Sequence, residues 1–158
     1  MAILNQIQRL SNRLHKVKLS PLSRLLDGVS RFVFSASVPG RAEIGKGVFF
    51  HHGGLGVVIN NRSVIGDDCE IGVHVVLGGK APIVGAPRLG RGVIVHAGAK
   101  IIGPVTIGDG VIIAANAVVV EDVPPRCMVA GVPATIKRRD IDARLYRHDA
   151  SPHGAPND

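Results

Sequence analysis

From Ile59 onward the chain repeats with a period of six: Ile59, Ile65, Ile71, Leu77, Ile83, Leu89, Val95, Ile101, Ile107, Ile113 and Val119 are all aliphatic. Glycine follows directly at Gly66, Gly72, Gly78, Gly90 and Gly108. Self-similarity at a fixed short period is the mark of a stacked repeat architecture. Six residues of α-helix turn through about 600°, which leaves successive repeat positions about 120° apart, so no helical face can collect them. An uninterrupted strand could hold the period but not so many glycines. Each hexad therefore reads as a short strand and a turn, the aliphatic residue pointing inward and glycine permitting the turn. The same phase runs upstream through Val38, Ile44 and Phe50, then slips by three residues across HHGGLGVVI before Ile59. Something is inserted at that point.

Composition narrows the function. The 158 residues include 20 Gly and 10 Pro but only four Phe, one Tyr and no Trp, which leaves no platform for stacking nucleic-acid bases. A nucleic-acid partner is not expected. Net charge is +7, and residues 1–46 carry eight Lys or Arg against Asp27 and Glu43. Basicity of this kind suits phosphates, anionic membrane surfaces or acidic glycans. Cys69 and Cys127 form neither a disulfide framework nor a metal-ligand cluster. The first residues, MAILNQIQRL, lack a continuous apolar run of the signal-peptide kind, and no stretch approaches a membrane span, so a cytoplasmic protein is expected.

Three regions follow. Residues 1–36 read as a helical segment, with Leu4, Ile7, Leu10, Leu14 and Val17 on an apolar stripe that ends before Pro21. Arg9, Arg13, Lys16 and Lys18 lie on its polar side. The stripe is expected to pack on the coil or a neighbouring subunit, and the basic side would allow peripheral association with the inner face of a membrane. Residues 37–136 are the repeat domain, closed by Pro124, Pro125 and Pro133. Residues 137–158 form a charged extension, with a short helix expected over 138–148, and a polar tail.

Function must come from residues that break the repeat. Adjacent His51 and His52 open the Gly-rich stretch at the register slip, and neutral imidazole is a good general base near pH 7. His74, corrected for the slip, falls about one coil from His52. His96 takes a slot that most hexads give to Gly.

The segments IGKGVFFHHGGLGVVI, SVIGDDCEIGVHVVLGG, HAGAKIIGPVTIG and DVPPRCMVAGVPATI resemble the acetyltransferase domain of serine acetyltransferases, within the hexapeptide-repeat acyltransferase superfamily. The resemblance implies an all-β fold, a left-handed parallel β-helix with three hexads per coil, a short N-terminal helical segment and a C-terminal cap or tail. Residues 18 apart, such as Ile59, Leu77, Val95 and Ile113, would then stack in one ladder. It also implies a homotrimer and acetyl-CoA as co-substrate, with no metal. By position His52 matches the family's catalytic base, His51 stands where the family has Asp, and Ala86 stands where it has a second active-site His. His74 completes the catalytic candidates. The donor groove falls on Gly78, Gly79, His96, Ala97, Ala115 and Lys137.

Because the donor side is kept and the acceptor side altered, the expected acceptor is a sugar or polysaccharide precursor. L-serine is the alternative acceptor. A non-catalytic trimer, or a zinc protein using several of these histidines, is the remaining alternative.

Overall fold

The computed structural model describes residues 3–150. Two helices, α1 (Ile3–Lys16) and α2 (Ser20–Phe34), precede a three-faced parallel β-solenoid. One face stacks β1 (Glu43–Ile44), β4 (Val64–Ile65), β7 (Arg88–Leu89) and β10 (Thr106–Ile107). The second stacks β2 (Phe49–Phe50), β5 (Glu70–Ile71), β8 (Ile94–Val95), β11 (Ile112–Ile113), β13 (Met128–Gly131) and β14 (Ala134–Arg138). The third stacks β3 (Val58–Ile59), β6 (Val76–Gly78), β9 (Lys100–Ile102) and β12 (Val118–Val119). All pairings are parallel except the β13–β14 hairpin, which folds back across the end of the coil. This is the arrangement the period of six demands and the one expected of a left-handed β-helix.

The inward aliphatic of each strand is sealed: Ile65, Ile71, Leu77, Ile101, Ile107 and Ile113 are essentially inaccessible. Each contributes roughly 1.5–3 kcal/mol relative to an exposed position. Smaller residues two positions earlier, including Cys69, Val75, Ala99 and Cys127, fill the remaining space. Burial pushes the Cys69 thiol up to about 11, so it is an inert core side chain.

The ladders differ from the expected spacing of 18. Ile59 pairs with Leu77, but Leu77 pairs with Ile101, and Ile71 pairs with Val95. Ile59 and Leu77 therefore belong to a different face from Val95 and Ile113. The cause is a loop after β6, over residues 79–86, in which Ile83 is half exposed rather than inward. The loop lengthens one coil by a single hexad, so the sequence phase survives it.

The helical segment also departs from its expected packing. Leu4 is buried, but Leu10 and Val17 on the apolar stripe are exposed. The buried face is Leu4, Gln8 and Ser11 instead. The chain entering the coil at residues 39–42 presents backbone groups that need partners. Gln8 Nε2 donates to the Ala42 carbonyl at 3.2 Å and Asn12 Nδ2 to the Gly40 carbonyl at 2.6 Å. Ser11 Oγ donates to Asp27 Oδ1 at 2.6 Å, tying α1 to α2. No helix among the described residues is long and apolar enough to cross a membrane.

The extension after β14 forms a strap along the second face, with one 3-10 turn at Ala143–Tyr146 where a longer helix was expected. The outward residues of that face are in register: Phe49, Glu70, Ile94, Ile112 and Met128. Ile141 and Ala143 of the strap pack on Ile94, Ile112 and Met128. Arg147 and His148 continue to Glu70 and Phe49. The polar stretch 151–158 lies outside the described residues.

Candidate active site under the C-terminal strap

The register slip is a 3-10 turn, His51–Gly54, projecting from the corner after β2. The turn needs left-handed backbone: φ is 49° at His52 and 78° at Gly54. A side chain at Gly54 would collide with the buried Leu4, so α1 packs directly on the back of the turn. One coil away, the ring of His74 packs against Gly56.

Beside this turn lies a cleft of about 240 Å³ lined by His51, His52, Glu70, Gly72, Val73, Ile94, Val95, His96, Ala97, Tyr146 and His148. Glu70, 1% exposed, is the buried carboxylate at its edge. A carboxylate taken from water must be paired to remain charged. His51 Nε2 lies 3.0 Å from Oε2, and His148 Nδ1 lies 2.9 Å from Oε1. The His148 amide donates to the same carboxylate, and Arg147 Nε lies 3.6 Å away. Burial alone would raise the Glu70 pKa, but the hydrogen bonds from His148 and His51 outweigh it and hold the carboxyl below its usual range.

An imidazole donating through Nε2 to a carboxylate has Nδ1 left as a proton acceptor in its neutral form. His51 therefore has the polarity of an oriented general base. His52 is exposed beside it, and the buried carboxylate pairs with His51 rather than with His52. The orienting group missing from the sequence motif is thus present, but it serves the neighbouring histidine.

Of the sequence candidates, His51, His52, His96 and Ala97 line this one cleft. Ala115 is exposed on the same corner one rung from Ala97, whose carbonyl accepts from the Asn116 amide. His74 is on that corner but outside the cleft lining. Gly79 lines a separate cleft with Asn60, Lys80 and Ile83, and Gly78 lies in β6. Lys137 is exposed on β14. Glu70, Tyr146 and His148 escaped the sequence reading.

A larger cleft of about 740 Å³ contains Arg91, Arg126, Arg144 and Arg147, but the last three are each paired with an aspartate. No imidazole lines it. Among the described residues the one trio of metal-ligand side chains is Glu70, His148 and Asp149. Arg147 Nε lies 2.9 Å from Asp149 and 3.6 Å from Glu70, so both carboxylates of the trio already pair with a guanidinium. His52, His74 and His96 form no such group among the described residues.

Residues 86–120 match the family described as bacterial transferase hexapeptide (six repeats). The chain belongs to the hexapeptide-repeat transferase superfamily. Within it, this chain is 38% identical over 130 residues to the serine acetyltransferase of Synechococcus elongatus, covering 81% of this chain and 53% of that protein. The crystal structure of serine acetyltransferase in complex with coenzyme A from Brucella abortus matches with a TM-score of 0.80 and 34% identity, covering 85% of this chain and 54% of that one. Soybean serine acetyltransferase complexed with serine matches with a TM-score of 0.80 and 38% identity, over 84% of this chain and 55% of that one. This hexapeptide-repeat chain spans about half the length of the curated relatives it matches.

Proposed function

We propose that the chain is an acetyl-CoA-dependent O-acetyltransferase. The observation that carries this reading is the His51–Glu70 pair in the lining of a cleft that also includes Gly72 and Ala97 of the coil corners. In the proposed reaction His51 takes the proton from an acceptor hydroxyl as its oxygen attacks the thioester carbonyl. The carbon–sulfur bond then breaks, and the same proton returns to the departing thiolate. The exposed, side-chain-poor corner at Ala97 and Ala115 suits an extended pantetheine arm, and His52 and His96 flank the entrance.

The favoured acceptor is L-serine, because the chain is similar to serine acetyltransferases over more than four-fifths of its length. A glycan hydroxyl is the second reading, and one specific observation supports it. Ala86, buried at the end of the 79–86 loop, offers only a methyl group where the motif has an imidazole. A homotrimer belongs to the same proposal, with the Gly79 cleft of one copy available to a neighbour.

Thiol release from acetyl-CoA by the purified chain tests the reading, with L-serine compared against free, nucleotide-linked and polymeric sugars. Release with serine supports the favoured acceptor, and release with a glycan alone moves the assignment to the second. No release with any hydroxyl compound overturns the proposed activity.

A further inference from the structure

His148 stands outside every repeat and motif, yet its side chain meets three residues of the site. Its Nδ1 pairs with Glu70 Oε1 at 2.9 Å, and its backbone amide is shared between Oε1 at 3.2 Å and Oε2 at 3.3 Å. Its ring stacks on Phe49, with centroids 3.9 Å apart and planes within 6°. The His51 ring lies edge-on to it at 5.7 Å. The strap is anchored immediately before it, where Arg147 donates to the Asp68 carbonyl at 2.7 Å, and further back by Ala143 on Ile94 and Ile112. One carboxylate therefore holds two imidazoles, one from the coil and one from the strap.

We propose that His148 is a positioning residue of the active site, delivered by the C-terminal strap, and that it holds Glu70 in the orientation that aims His51 into the cleft. Each carboxylate oxygen has its own imidazole. With Oε1 fixed by His148, rotation of the carboxylate about its last torsion would break two hydrogen bonds, and Oε2 stays on His51. Without the His148 ring the carboxylate retains the residue-148 backbone amide and Arg147, but it loses the donor whose plane is set by the stack on Phe49. Misalignment of about 1 Å in a catalytic group costs about 10²-fold in rate.

This inference rests on the proposed function for its kinetic arm only. The groups facing Glu70 are His51 from the turn and Arg147 and His148 from the strap, with Asp149 paired to Arg147 and the Asp68 carbonyl beside it. The test uses the full chain with isotope-labelled histidine nitrogens, in wild type, His148→Phe and His148→Asn. Phenylalanine keeps the stack on Phe49 and removes the donor, and asparagine restores a donor near the Nδ1 position.

In wild type the neutral form of His51 should be a single tautomer with its proton on Nε2, held by Glu70 Oε2. In His148→Phe it should shift toward a mixture of both tautomers, because the carboxylate is no longer fixed on Nε2. In the kinetic arm, kcat should fall about 10²-fold in His148→Phe with little change in the KM for acetyl-CoA, and His148→Asn should recover most of it. A His51 tautomer balance identical in all three proteins would overturn the positioning role, whatever the activity. A changed balance in a protein with no acetyl transfer would keep the positioning role and overturn the function.

Discussion

Nε2 of His51 lies 3.0 Å from Oε2 of Glu70, a carboxylate that is 1% exposed, so the turn at the register slip is electrically tied to the second face of the coil. The pair links sequence positions on adjacent rungs that only the parallel register of β2 and β5 brings together. Replacing Glu70 by Gln keeps its size and removes its charge. Turnover should fall about 10²–10³-fold, and acetyl-CoA should still bind, because the loss is in orientation and charge at the base. Equilibrium binding of CoA to Glu70→Gln, measured beside its turnover, separates the two.

Acid should weaken the same cluster. The folded state holds the Glu70 carboxyl below its usual range, through hydrogen bonds from His148 and His51 that overcome its burial. Because the folded value lies below the unfolded one, the stabilisation is fully present above the usual glutamate range. It is lost as pH falls through the lowered folded value. Glu70→Gln should be less stable than wild type by about 1–3 kcal/mol near neutrality, where a buried charged hydrogen-bond acceptor has been removed. The difference should shrink on acidification. Denaturant midpoints of both proteins across the acid range check this, and a difference that grows toward low pH would contradict it.

The base can be assigned between two adjacent histidines. His52 adopts a left-handed backbone conformation that glycine tolerates at no steric cost, whereas His51 carries the carboxylate contact. His51→Ala should lower kcat by about 10²–10⁴-fold. His52→Gly should preserve turnover within about tenfold, a loss far smaller than removal of a general base produces. The converse pattern would return the base to His52, the position favoured by the sequence motif.

Much of this architecture is readable from the chain because a period of six excludes helix and straight strand at once, and because the inward residues are almost uniformly aliphatic. The site was half readable. His51 and His52 announce themselves by interrupting the pattern, His96 by taking a slot that most hexads give to Gly, and Ala97 follows from the family resemblance alone. Glu70 does not, because an acidic residue before an inward Ile71 looks like any solvated outward position of a repeat. The outward apolar residues Phe49, Ile94, Ile112 and Met128 are the sign that this face is covered. The position of His148 is set by the path of the strap back over them, since nothing local in ARLYRHD fixes its direction. The apolar stripe of α1 misled for a related reason: at the coil entrance, donors such as Gln8 and Asn12 satisfy backbone carbonyls that an aliphatic face would leave unpaired.

Ile83 and Ile101 occupy equivalent places in the six-residue phase, yet Ile83 is 52% exposed in the 79–86 loop and Ile101 is fully buried between Leu77 and Val119. A loop exactly one period longer than a plain turn is invisible to periodicity, so the two isoleucines can be told apart only by what they cost to remove. Ile101→Ala should lower stability by about 2–5 kcal/mol through lost burial and a cavity that the stacked rungs cannot close. Ile83→Ala should stay within about 0.5 kcal/mol, as expected of a side chain that leaves water partly in contact. Denaturant unfolding of the two variants in the same assembly state decides the matter, and comparable losses at both positions would place Ile83 inside the coil and restore a ladder spacing of 18 across Leu77 and Val95.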